Sequence, residues 1–413
     1  MIIGEKLGDI IYFLAQMKIP LIKSTFYKEK ETKQALCDFI MKAPKLSMGE
    51  QCASFEQKFS LWQGKKYCVM FNSGSSANLA LIQALLNLSI LSKGDYVGFS
   101  SITWATNVMP LIQNSLIPIP IDVEISSLNI SPDTLSNTLA HTNIKALFLT
   151  NVLGFSDDIV AIRKLCSEKN ILLLEDNCES LGSEYNGVKL GNYGFASTFS
   201  FFVGHHMSTI EGGAVCTDDD HINSELLKVR SHGWDRQLEK TERFEIRKKH
   251  GIKEINAGYT FYDLAYNIRP TEINGFLGLN QLQYLDETIN KRQNNFEALK
   301  SIYNNPLFEK ISPKMTKNSN FAFPIVCKKT ETKKECIFKS HIAGIEIRPI
   351  LSGTMTSQPF FKKYFPRQKA KLPNSQYISD NGFYFGNNPE LTDANVALLI
   401  KTFSQKISAH NYV

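Results

Sequence analysis

From about residue 66 to 220, short β-branched or apolar runs alternate with helical stretches, and this alternation limits the fold more than any other feature of the chain. Strands joined through helices need crossover connections, which set the strands parallel and bury the sheet between helical layers. Periodicity predicts strands over 67–71, 96–99, 117–123, 146–151 and 171–174, with helices over 75–87 and 157–169. A long helix over 286–301 leads to a smaller α+β unit, with a candidate strand at 322–327 and the run 344–349. The expected division is an extension over 1–19, a large domain over 20–300 and a small domain over 301–413.

Charge and cysteine usage narrow the function. A net charge of +6, from 46 Lys and Arg against 40 Asp and Glu, is too dilute for a nucleic-acid surface but suits a phosphorylated substrate. Eight scattered cysteines without a Cys-x-x-Cys pair read as reduced, cytosolic thiols, and no metal site is expected. The apolar positions 2, 3, 7, 10, 11 and 14 predict a docking helix; Glu5 and Asp9 interrupt them, so neither a signal peptide nor a membrane span is expected. The charged segment 237–256 is expected as a mobile surface excursion.

Four features carry chemistry. Asn72-Ser-Gly-Ser-Ser-Ala-Asn78 closes a strand and opens a helix. Its small residues and free N–H groups suit a phosphate, although an ordinary capped turn reads the same way. Trp104 follows the next strand and can stack on a flat ring or fill a core. Glu175-Asp176 ends the strand at 171–174, where a carboxylate can hold a pyridine nitrogen protonated; acidic strand ends also occur without a ligand. Finally, Ser200-Phe201 and Glu211-Gly212-Gly213 flank His205, an imidazole that moves protons but forms no stable imine.

In that order, the four features resemble the DegT/DnrJ/EryC1/StrS family of nucleotide-sugar aminotransferases, in which a lysine stands at the spacing of His205. Leu174-Glu-Asp-Asn-Cys-Glu-Ser180, His232-Gly-Trp-Asp-Arg236 and Tyr266-Asn-Ile-Arg-Pro270 extend the likeness, which points to the family's His-for-Lys dehydratase branch. The resemblance implies a fold-type I, aspartate aminotransferase-like α/β protein: a mainly parallel seven-stranded sheet plus a small α+β domain. It implies pyridoxal or pyridoxamine 5′-phosphate, with Ser75 and Ser76 on the phosphate, Trp104 on the ring, Asp176 on the ring nitrogen and Glu179 at the ring edge. Ser200 binds the phosphate or ring hydroxyl, and Asn267 reaches the phosphate from the neighbouring subunit of a homodimer. His205 is the implied base, and Arg236 and Arg348 the implied substrate contacts.

The implied reaction removes the C3 hydroxyl of a 4-keto-6-deoxy sugar nucleotide such as GDP-4-keto-6-deoxymannose. L-glutamate is the amino donor, and the setting is cytoplasmic dideoxysugar and O-antigen synthesis. A related CDP-sugar enzyme uses an iron–sulfur cluster held by four cysteines, but only Cys327 and Cys336 follow Cys216 here. Two readings compete: a retired binding protein, and an aminotransferase with a displaced lysine, Lys189, in a hairpin-like setting. Val203-Gly204, Ile210 and the region 237–259 depart from the family pattern.

Overall fold

The computed structural model of the protein describes residues 18–368 and 370–404. The helix expected at the N-terminus lies outside the described residues; Ile19, at the end of that segment, forms a β-bridge with Ile345.

The strands of the large domain are β1 (Tyr67–Phe71), β2 (Tyr96–Ser100), β3 (Ile117–Ile121), β4 (Ala146–Thr150), β5 (Leu172–Asp176), β6 (Glu184–Tyr185), β7 (Val188–Lys189), β8 (Ala196–Ser200) and β9 (Gly213–Thr217). Seven of them form one sheet in the order β1-β9-β8-β5-β4-β2-β3, while β6 and β7 make a separate hairpin. Only β9 is antiparallel to its neighbours in that sheet. β4, β8 and β9 are buried along their whole length, as a sheet covered on both faces requires. Helices Gly74–Asn87 and Asp220–Val229 pack Ala77, Leu81, Leu85, Ile222 and Leu226 against one face. Phe55 and Phe59 of helix Glu50–Gln63 cluster with Met70, Phe199 and Phe201 on the other.

The structure adds to expectation at the end of β5 and in the charged segment. β5 runs two residues past the predicted end and takes in Glu175 and Asp176. The buried Glu175 carboxyl accepts N–H groups from Gly191, Tyr193 and Gly194 at 2.8, 2.8 and 2.6 Å, which offset part of the burial that raises its pKa. The charged segment forms helix Lys240–Lys249, which buries no residue. Arg247 ties it down through a forked contact with the buried Asp235, Nε–Oδ2 2.6 Å and Nη2–Oδ1 3.1 Å.

Helix Leu285–Leu299 leads to the small C-terminal domain. There β10 (Ala322–Val326), β11 (Ile347–Arg348) and β12 (Gly382–Gly386) pair antiparallel in the order β10-β12-β11. Its core stacks Tyr303 on Phe323, Phe323 on Phe385 and Phe385 on Phe403, with ring centroids 4.9, 5.2 and 5.4 Å apart.

Candidate active site

β1, β2, β4, β5 and β8 run in the same direction, so their carboxyl ends share one edge of the sheet, where α/β proteins bind ligands. A cavity with about 360 Å³ of space for water-sized molecules lies there. Gly74, Trp104, Thr150, Asp176 and Ser200 bring those strand ends to its wall. Phe321, Arg348 and Tyr384 of the small domain face them, and the segment from Leu21 to Tyr27 also lines the space.

The serine turn works as a capped helix start. Ser73 Oγ accepts the Ser76 N–H at 3.0 Å, which orients the first turn of helix Gly74–Asn87. Ser73, Gly74 and Ser75 reach the wall; Ser76 does not, and its hydroxyl lies 3.0 Å from Ser73 Oγ. Gly74 is needed for close approach, since a Cβ there would sit 2.6 Å from Ser200 Cβ. Gly213 has the same role on β9, where a Cβ would come within 2.4 Å of the Ser73 carbonyl.

Asp176 is buried at the end of β5. Its Oδ2 accepts from Asn107 Nδ2 at 2.6 Å and Asn78 Nδ2 at 3.2 Å, and its Oδ1 from the Cys178 N–H at 2.9 Å. These are donors only, as a carboxylate needs. Trp104 is 56% exposed beside it, so its indole face is open to a partner rather than filling a core.

Glu179 also lines the cavity, and its Oε2 accepts the Leu153 N–H at 2.8 Å. Burial, and to a lesser degree the charge of Asp176, pushes its carboxyl up from 4.5 to about 8. A carboxyl raised in the folded state contributes stability that is full below pH 4.5 and is lost as pH rises through about 8. Glu179→Gln, which imitates the protonated form, should therefore flatten the fall in urea midpoint across that window in cofactor-free protein. An unchanged slope would mean that the carboxyl is solvated.

The loop after β8 is closed by backbone bonds from Phe201 N to Gly212 O (2.8 Å) and from Val203 N to Ile210 O (3.1 Å). Ile210, one of the departures from the family pattern, has φ +71°, a strained conformation for a β-branched residue. The loop presents His205 edge-on to Phe202 and Phe321, with ring centroids 5.9 and 5.3 Å away. Its Nδ1 is buried without a partner. Burial first, then the charge of Arg292, lowers the His205 pKa to about 4. The imidazole is thus neutral near pH 7 and able to accept a proton.

Ser75, Trp104, Asp176, Glu179, Ser200, His205 and Arg348 therefore converge on one cavity. Arg348 also pairs with Glu346, Nη2–Oε1 2.9 Å. Asn267 and Arg236 do not reach the cavity of their own chain. Asn267 is exposed and accepts from Arg269 Nε at 3.0 Å. Arg236 was expected to contact substrate; within its own chain it lies 3.8 Å over Trp234 and donates to the Gly258 carbonyl, because these nearby flat and polar groups satisfy its guanidinium. No lysine lines the cavity among the described residues, and Lys189 donates to the Trp62 carbonyl from the β6–β7 hairpin. Sequence reasoning assigned no role to Asn78, Asn107, Glu211, Arg292 and Tyr384. Of these, Asn78 and Glu211 stood inside the motifs already singled out, and Asn78 is also a polar residue amid the apolar face formed by Ala77, Ala80 and Leu81.

The wall combines a helix N-terminus for a phosphate, an open indole for a flat ring and a donor-fed buried carboxylate for a ring nitrogen. The residues present fit pyridoxal phosphate, and the sheet carrying them has the aminotransferase-like α/β architecture. Residues 27–404 match the DegT/DnrJ/EryC1/StrS aminotransferase family, and the chain belongs to it.

Within that family, the chain is 35% identical over 378 residues to a GDP-4-keto-6-deoxy-D-mannose 3-dehydratase of Yersinia pseudotuberculosis, covering 90% of this chain and 94% of that one. A solved GDP-4-keto-6-deoxymannose-3-dehydratase with a trapped PLP–glutamate geminal diamine superposes with a TM-score of 0.84 at 31% identity, covering 94% of this chain and all of that one. A His-to-Asn variant of such an enzyme, with bound GDP-perosamine, gives 0.85 at 32% identity and covers the same 94% of this chain.

Proposed function

We propose that this protein is a pyridoxal/pyridoxamine-phosphate-dependent nucleotide-sugar 3-dehydratase. It takes GDP-4-keto-6-deoxymannose and L-glutamate and releases a 4-keto-3,6-dideoxy sugar nucleotide, 2-oxoglutarate and ammonia. The observation that carries this reading is His205 at the family's lysine position, on a cavity wall to which no lysine among the described residues contributes.

When bound, the cofactor supplies an amine that joins the sugar ketone and a ring that accepts an electron pair. The first turn of helix Gly74–Asn87, with Ser75 and Ser200, would hold the phosphate, Asp176 the ring nitrogen and Trp104 one ring face, since all of them line the cavity. Glu179 sits at the ring edge. With the cofactor bound, His205 would take the proton from its C4′ carbon and return it to the departing C3 hydroxyl oxygen. Among the described residues no lysine lines the cavity to hold the cofactor covalently, so water would complete the release of sugar and ammonia. Arg348, at the small-domain side of the cavity, contacts the sugar nucleotide. A retired binding protein has no need of the donor set that Asn78, Asn107 and Cys178 aim at Asp176.

The working unit in this proposal is a cytoplasmic homodimer. Ile255, Tyr259, Phe261 and Leu264 are 60–86% exposed beside Asn267, an apolar face suited to burial against a second copy. In that arrangement Asn267 and Arg236 serve the partner's cavity. All eight cysteines are free thiols, which supports a reducing compartment, and no helix among the described residues is long and apolar enough to cross a membrane. The domain division near residue 300 is supported by helix Leu285–Leu299 ending there, with the three-stranded sheet lying beyond it.

The test is ammonia release by purified protein given pyridoxal phosphate, glutamate and GDP-4-keto-6-deoxymannose, each omitted in turn. Release in excess of enzyme that needs all three is expected. Glutamate-dependent 2-oxoglutarate without ammonia would reject the substrate, and neither product would favour the binding-protein reading.

A further inference from the structure

The mechanism leaves two polar side chains beside His205 without a task. Arg292, on helix Leu285–Leu299, is 5% exposed and lines the cavity. Its Nη1 donates to the carbonyl oxygens of Phe321 (3.3 Å) and Asn387, its Nε has no partner, and among the described residues no carboxylate pairs with it. His206 is 6% exposed and places Nε2 2.6 Å from the Ser319 carbonyl. A carbonyl only accepts, so Nε2 carries the proton and Nδ1, buried without a partner, holds a lone pair. Both contacts end on residues 319–321, the short stretch entering β10. Phe321, whose carbonyl holds Arg292, is also the ring packed edge-on against His205. The stretch is fixed in turn by Ser319 N to Ser183 Oγ (3.1 Å), Phe321 N to Leu153 O (3.0 Å) and Asn387 Nδ2 to the Asn320 carbonyl (3.2 Å).

We propose that His206 and Arg292 are positioning residues for the base: with residues 319–321 they form a buried clamp across the two domains that sets the orientation of the His205 ring and the field around it. His205's role as base rests on the dehydratase reading; the clamp does not. Arg292 has a second effect, because an uncompensated guanidinium opposes a positive charge on either imidazole, adding to burial in lowering both histidines. The other titratable groups on the cavity wall are Asp176, Cys178, Glu179 and Glu211 of the large domain, Arg348, Tyr384 and Glu390 of the small domain, and Tyr27. Burial is the larger cause of the low His205 pKa and the Arg292 charge the smaller.

The experiment is an NMR titration of the His205 ring nitrogens in full-length, cofactor-free protein, joined to steady-state kinetics. In the wild type the ring should stay neutral until about pH 4. In Arg292→Met the midpoint should rise by about one pH unit, the effect of removing one nearby charge. Arg292→Lys keeps the charge but loses the planar Nη1 that donates to both carbonyls, so it should keep the low midpoint while kcat falls. His206→Leu should lower kcat ~10²-fold, the cost of a misplaced reacting group, with KM little changed. His206→Gln, which keeps an N–H for Ser319, should recover most of it. An unchanged His205 midpoint in Arg292→Met, or equal kcat in the Leu and Gln variants, would overturn the proposal. If the wild type shows no dehydratase turnover, the titration still decides the role of Arg292 and the function alone is rejected.

Discussion

His205→Asn should lower ammonia release ~10²–10⁴-fold, the usual contribution of a general acid–base residue, while cofactor and sugar nucleotide still bind. Asparagine is close to the histidine in reach but has no nitrogen lone pair that accepts a proton at neutral pH. The wild-type ring is suited to the task because Phe202 and Phe321 hold it edge-on and burial keeps it uncharged. The binding wall is built from other residues, so substrate affinity should change little. Single-turnover ammonia release and binding titrations check both halves. Near-normal ammonia release by the variant would remove His205 from the chemistry and leave the proposed mechanism without its base.

Asp176→Asn should cost ~10²–10³-fold in turnover, the scale of losing one preorganised electrostatic partner, and should weaken retention of the cofactor. Unlike the His205 change, it should slow 2-oxoglutarate formation as well as ammonia release, because both halves draw on the same ring nitrogen contact. The fold should survive. Asn78 and Asn107 each have a buried Oδ1 without a partner, so their side-chain amides can turn a carbonyl towards the new amide. Measuring both products, with urea unfolding as a control for stability, checks this. Loss of ammonia alone would place Asp176 on the sugar side of the reaction rather than against the ring.

Much of the site was legible because its parts are local. A strand followed by Ser73-Gly74-Ser75 must turn into a helix start, and the expected helix is one residue short of the observed Gly74–Asn87. Asp176, Ser200 and His205 stand at or just beyond the ends of parallel strands, and parallel strands bring their ends to one edge. Arg236 does not reach its own chain's cavity, because its motif lies on the surface, where Trp234 and Gly258 occupy it. Glu272 shows what no pattern contains. Its carboxylate accepts the N–H groups of Gly49 (2.6 Å), Gln51 (3.0 Å) and Cys52 (3.2 Å), capping a helix more than 200 positions away in sequence.

The sequence alone carried a mainly parallel α/β sheet, the strand-end edge that lines the cavity, and a histidine at position 205 where the family pattern has a lysine. Hydrophobic period and strand-end chemistry act over a few residues, so they are written locally. The tertiary structure decided that Arg292, His206 and Phe321 close around that imidazole, that Asn78 and Asn107 feed Asp176, and that Ser76 and Arg236 face elsewhere. Buried polar groups find partners across whatever the packing brings close, and packing joins residues whose separation along the chain leaves no periodic mark.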